Sequence, residues 1–129
     1  GESRSFAAEV GHCQWNELLT SDPAAALTFY THQLGWEKGE VMPMGPMGDY
    51  QFLVNRGLRF GAMMKRADPL APSLWRFYFG VDDIDRAARA IVAGCGSLKG
   101  EPQPVPGGGF AAAALDPQGA EFGIAGPRR

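Results

Sequence analysis

Apolar and polar positions along this chain change period twice, in the same order each time. Residues Val10 to Leu19 read as a first strand. Ala26, Leu27, Tyr30 and Leu34 then recur at helical spacing and predict an amphipathic helix. Asp22 stands ahead of it as an N-cap, because its carboxylate can accept from free N–H groups of the first turn. Pro23 takes the first helical position, where a missing N–H costs nothing. Gly35 can adopt the left-handed conformation that ends a helix. Strands are predicted over Trp36–Val41, Asp49–Asn55 and Leu58–Lys65, with Asn55-Arg56-Gly57 as the turn between the last two. The intervening Pro43–Gly48 loop is rich in methionine, an adaptable apolar contact. It reads equally as a pocket rim or an ordinary hairpin loop.

The second half repeats this plan. Leu74–Val81 is the most aromatic strand, with Trp75, Phe77, Tyr78 and Phe79. Asp83 caps a helix from about Ile84 to Ala93, whose Ile84, Ala87, Ala88, Ile91 and Val92 share a face. Gly94-Cys95-Gly96 ends it. A short strand around Ser97–Glu101, a loop over Pro102–Gly109, and strands over Phe110–Leu115 and Ala120–Ala125 complete the half. Asp116-Pro117-Gln118-Gly119 is a tight-turn sequence between the last two. Asp83 follows Asp22 by 61 positions, and Gly119-Ala-Glu-Phe-Gly123 follows Gly57-Leu-Arg-Phe-Gly61 by 62. Two signals of different kind agree on one duplicated unit of about half the chain. The expected fold is therefore α+β. Two tandem βαβββ modules, at about residues 8–66 and 74–126 with a linker over 67–73, form one curved eight-stranded mixed sheet within a single domain. The helices lie outside, and the cleft inside is the default ligand site.

Composition narrows the function. The chain has 129 residues, 45% hydrophobic and 20% charged, which is the balance of a globular protein. A formal charge of −2 leaves no basic footprint for nucleic acid, and Arg128 and Arg129 read as a solvated tail. No apolar run approaches the roughly 18 residues of a membrane span. The start, GESRSFAAEV, lacks the apolar core of a signal peptide, so a cytoplasmic location is expected. Cys13 and Cys95 form no CxxC and read as free thiols. His12 adjoins Cys13, but neighbouring strand residues face opposite ways, so the two make no metal site.

The duplication, the two capped helices and the Asp116-Pro-Gln-Gly-Ala-Glu-Phe hairpin resemble the vicinal oxygen chelate superfamily, that of glyoxalase I, extradiol dioxygenases and bleomycin-resistance proteins. The likeness spans about Val10 to Ala125 and includes Trp15-Asn-Glu-Leu18, similar to the strand that opens many such modules. The resemblance implies a homodimer. It also implies where a metal would sit: on the first strand of a module, seven residues before the acidic cap, and on the last strand. In this chain those positions hold Trp15, Gly61, Arg76 and Gly123. None supplies the imidazole, thiolate or carboxylate a divalent ion needs. A slip of one residue brings Asn16 and Phe77, which changes nothing. His32, near the end of the first helix, reads as solvated, and Glu17 with Glu121 is the remaining carboxylate pair for a shifted site. No cofactor is expected.

With metal set aside, the cleft works through shape, aromatic rings and a few charges. Strand parity turns Cys13, Trp15, Glu17, Arg76 and Tyr78 inward, with Arg59, Met63 and Glu121 from the last strands and Tyr50 and Phe52 as neighbours. The expected ligand contacts are Trp15, Glu17, Tyr50, Phe52, Met63, Arg76, Tyr78 and Glu121. They describe an apolar pocket with carboxylate, guanidinium and phenol, suited to a small, flat or amphipathic molecule. The expected function is a metal-free small-molecule-binding protein of the glyoxalase/bleomycin-resistance/dioxygenase-like kind. The alternative is a superfamily enzyme of lyase, isomerase or dioxygenase type, with an atypical metal site or metal-free acid–base chemistry at Glu17, Glu121 or Tyr78. An accessory interaction module is the third reading.

Overall fold

The computed structural model describes residues 9–129; the stretch before them, part of the start read above for a signal peptide, lies outside the described residues. Among these there are two helices and nine strands. The chain groups into two compact units, residues 16–75 and the described part of residues 1–15 with 76–129. No helix among the described residues is long and apolar enough to cross a membrane.

The unit of residues 16–75 holds most of strand β1 (Cys13–Thr20), helix α1 (Pro23–Leu34), and strands β2 (Glu37–Pro43), β3 (Asp49–Asn55) and β4 (Leu58–Lys65). The helix starts and stops where the sequence predicts. Asp22 accepts from the Ala25 N–H at 3.1 Å, and Gly35 sits at φ 70°. Strands pair in the order β2-β3-β4-β1, antiparallel except for the parallel β1–β4 pair. Leu18, Leu53 and Met63 form the core, with Ala26, Leu27, Tyr30, Trp36, Phe60 and Trp75 packed against it. Tyr30 stacks on Trp36 at 5.0 Å and accepts from Trp75 Nε1 at 3.0 Å. Leu34, expected on the apolar face of α1, is exposed instead. The Pro43–Gly48 loop contains a single 3-10 turn, Gly45–Met47.

The other unit holds β5 (Leu74–Gly80) from Arg76 on, α2 (Ile84–Ala93), β6 (Ser97–Leu98), β7 (Gln103–Pro104), β8 (Phe110–Leu115) and β9 (Glu121–Gly126). β5 runs parallel to β9, β8 pairs antiparallel with β9, and β6 and β7 both pair with β8. The start of β1 joins β5 here, through Gly80 N–H donating to His12 O at 2.9 Å. Ile84, Ala87, Ala112 and Ile124 form the core beneath α2. Asp83 caps α2 by accepting from Asp85 and Arg86 N–H groups. The sheet has nine strands rather than eight because the expected Ser97–Glu101 strand stops at Leu98. One more backbone bond, from Lys99 N–H to Ala113 O, follows; residues 100–102 then loop out, and Pro102 has no N–H to offer a ladder. Pairing resumes at Gln103–Pro104.

Candidate functional site

In the unit of β5 and β9, register decides which side chains meet. Tyr78 lies opposite Gly123 and Phe79 opposite Ile124. Ile124 and Ala112 pack under α2, so Glu121 and Gly123, with Arg76 and Tyr78, face the other way. There the Arg76 guanidinium donates to Glu121 Oε1 at 2.8 Å, and Lys99 Nζ donates to the same oxygen at 2.7 Å. A second Arg76 nitrogen donates to the Tyr78 phenol at 3.2 Å. The Arg76 and Glu121 side chains are 14% and 17% exposed, against 46% for Lys99. Burial alone would push the Glu121 carboxyl up, but the hydrogen bonds from Lys99 and Arg76 outweigh it and hold it below the usual carboxylate range. Burial works against the Arg76 charge, and its bonds to Tyr78 and Glu121 more than offset that, so its pKa is raised.

The other unit carries a second polar cluster. Glu17 and Phe52 both lie beside Ala62 in the sheet, which puts them on one face with Tyr50. The Tyr50 phenol donates to Glu17 Oε2 at 2.8 Å. The Tyr50 and Phe52 rings meet edge to face at 5.3 Å, and the Arg59 guanidinium lies 4.1 Å from the Phe52 ring centre. Arg59 also reaches Glu40 at 3.5 Å. Met63 departs from expectation. It is fully buried between Leu18 and Leu53, on the face opposite Phe52. The reason is a bulge: Val54 pairs with Arg59, yet Leu53 pairs with Gly61, so one extra residue in β4 reverses parity beyond Arg59. Trp15 is half-buried in β1, its carbonyl accepting from the Cys13 thiol at 3.7 Å. Lys99 is the member of the Arg76–Glu121 cluster that the sequence did not reveal. It is an isolated lysine after a two-residue strand, and only its backbone bond to Ala113 O brings it to Glu121.

Among the described residues, the four positions at which the resemblance puts metal ligands do not fit a divalent metal. A Cβ at Gly123 would collide with the Tyr78 ring, and one at Gly61 with the Asn16 backbone oxygen. Neither position has room for a carboxylate side chain. Arg76 stands at a third position with its charge engaged by Glu121, and Trp15 at the fourth. Asn16 is tied to the Phe60 carbonyl at 3.2 Å. His12 lies 3.6 Å from Glu9, and His32 is exposed in the last turn of α1. Among the described residues, no three His, Cys, Asp or Glu side chains come together in a way that would hold a metal ion.

Three comparisons bear on this geometry. The model of the Glyoxalase/Bleomycin resistance protein/Dioxygenase superfamily matches residues 9–124. The chain is 36% identical over 119 residues to the protein named "Putative glyoxylase CFP32" of Mycobacterium bovis, and equally to that of Mycobacterium tuberculosis. The match takes in 92% of this chain but spans only 45% of the length of those relatives. Among solved structures, hypothetical protein BH1468 from Bacillus halodurans superposes with a TM-score of 0.68 at 13% identity, over 91% of this chain and 94% of the other. Methylmalonyl-CoA epimerase from Mycobacterium tuberculosis gives 0.66 at 14%, over 91% and 88%. A variant of the Streptomyces coelicolor methylmalonyl-CoA epimerase, in complex with 2-nitronate-propionyl-CoA, gives 0.68 at 14%, over 92% and 96%. At such identities the likeness is one of fold.

Proposed function

This chain belongs to the Glyoxalase/Bleomycin resistance protein/Dioxygenase superfamily, and from that premise we propose that it binds a small, partly apolar organic molecule without a divalent metal. One observation carries the reading. Where the resemblance puts a metal ligand, the chain has Arg76, held by Glu121 and Tyr78, with the Tyr78 ring filling the space above Gly123. A guanidinium and a phenol offer hydrogen bonds to a ligand oxygen, the work a metal would otherwise do as a Lewis acid. Trp15 and Tyr78 supply ring surface in the same unit. The test is elemental analysis after incubation with zinc, nickel, manganese and ferrous iron, followed by desalting. Retention is expected to stay far below one metal per chain, and stable binding near one per chain would overturn the metal-free reading.

A second reading rests on the Glu17–Tyr50 contact in the other unit. A carboxylate held by a phenol is a candidate general base, able to take a proton from carbon next to a carbonyl. The epimerase neighbours favour asking this of CoA thioesters. Glu17→Gln, folded but without turnover that wild type has, would support an enzyme; equal rates would remove Glu17 as base. A cytoplasmic location and a homodimer complete the proposal.

A further inference from the structure

A cavity of about 280 Å³ opens where β8 begins and β9 ends, wholly within one unit. Two of its walls are tied down by bonds of their own. One is the turn between β7 and β8. There Val105 N–H donates to Gly109 O at 3.1 Å, and Gly108 N–H to Val105 O at 3.2 Å. Gly107, Gly108 and Gly109 all have positive φ, a course that residues with side chains rarely take. The other wall is Gly126–Pro127. Pro127 O accepts from Ile84 N–H at 2.8 Å. The next residue, Arg128, pairs with Asp85 at 2.6 Å and lies 4.2 Å from the Phe110 ring centre. The cavity is thus shaped in advance, which spares a ligand the cost of ordering these walls.

The lining decides the chemistry. Among the described residues that form it, none is charged. An ion entering would lose hydration with no counter-charge in the lining to replace it. Every lining position but one is glycine, alanine, valine, proline or phenylalanine; the exception is Gln14. Gly80 gives Gln14 its place, since a Cβ there would meet the Gln14 amide nitrogen. The carboxamide offers a donor and an acceptor side by side. Another amide answers both at once, whereas a ketone answers only the donor. At about 30 Å³ for each water-sized group, the space holds roughly nine non-hydrogen atoms. We propose that this cavity binds a small neutral amide or lactam, paired with Gln14 through two hydrogen bonds. The site goes beyond the function proposed above, and the Arg76 cluster has no part in it.

The test is a titration of the whole chain, labelled with heavy nitrogen and followed by NMR, with three probes of nearly equal size: benzamide, acetophenone and benzoate. Benzamide is expected to shift the signals of Gly108, Gly109 and the Gln14 side chain. It should bind about three- to tenfold more tightly than acetophenone, the scale of one neutral hydrogen bond. Benzoate should bind at least about tenfold more weakly than benzamide, because its charge has no counter-charge here. Gln14→Leu should abolish the preference for benzamide over acetophenone, with thermal melting to check that the variant folds. Acetophenone binding as tightly as benzamide would overturn the paired amide. Benzoate binding as tightly would overturn the neutral ligand. A preference that survives in folded Gln14→Leu, shifts confined to other parts of the chain, or no binding of benzamide at its solubility limit would each overturn the site. If Gln14→Leu fails to fold, the ranking of the three probes on the wild-type chain still decides. None of these outcomes bears on the metal-free reading, which is tested by metal retention.

Discussion

Glu121 holds two cations, so the cost of removing its charge depends on pH. Its carboxyl is below the usual range in the folded chain. Its contribution is therefore present above the unfolded carboxylate pKa and is lost as pH falls through the folded one. Glu121→Gln is expected to cost about 1–3 kcal/mol at neutral pH, the penalty for leaving Arg76 short of a partner. The difference from wild type, read by urea denaturation, should shrink as the solution is acidified; a gap that widens in acid would contradict the ion pair. Gly123 offers a second test, of packing. Gly123→Ala should lose about 1–3 kcal/mol because the new methyl meets the Tyr78 ring. In Tyr78→Ala the same change should cost little, and a double-mutant cycle with no coupling would mean the ring does not fill that space. Arg76, Tyr78 and Glu121 were legible from strand parity because β5 and β9 run without interruption. Met63 was not, since the bulge after Arg59 leaves no mark in composition or spacing.

At the level of elements, the two helices are copies in plan and unlike in attachment. α2 buries Ile84, Ala87 and Ala88, whereas no residue of α1 is fully buried. Ile84→Ala is accordingly expected to cost about 2–5 kcal/mol, and Leu34→Ala to stay within about 0.5 kcal/mol, both by chemical denaturation. Equal losses would mean the helices are anchored alike. Both helices were readable because capping is local chemistry: an aspartate, then a proline or acidic first turn, then glycine. The β3–β4 hairpin was readable for a similar reason. Arg56 at φ 52° and Gly57 at φ 77° form the turn that Asn55-Arg56-Gly57 announces. The split between β6 and β7 was not, because those strands are two residues each and are held by register on β8, not by a pattern of their own.

For the whole molecule, the family was legible from the duplication, while the polar cluster on β5 and β9 was legible only in part, because Lys99 gave no sign of belonging to it. The proposed homodimer has a direct test: light scattering should return twice the mass of the chain, and a monomer at tens of micromolar would exclude it. The paired glycines also bear on which substitutions each half admits. Gly61 and Gly123 occupy matching places in the two copies, and both are closed to a longer side chain, but by different obstacles. At Gly123 the obstacle is a ring, so a lineage could reach a carboxylate there by shrinking Tyr78 first; the reverse order passes through a destabilised intermediate. At Gly61 the obstacle is the main chain of Asn16, which no earlier side-chain change clears. One half of the duplication thus has a two-step road to an acidic residue, and the other is closed to one by its own main chain.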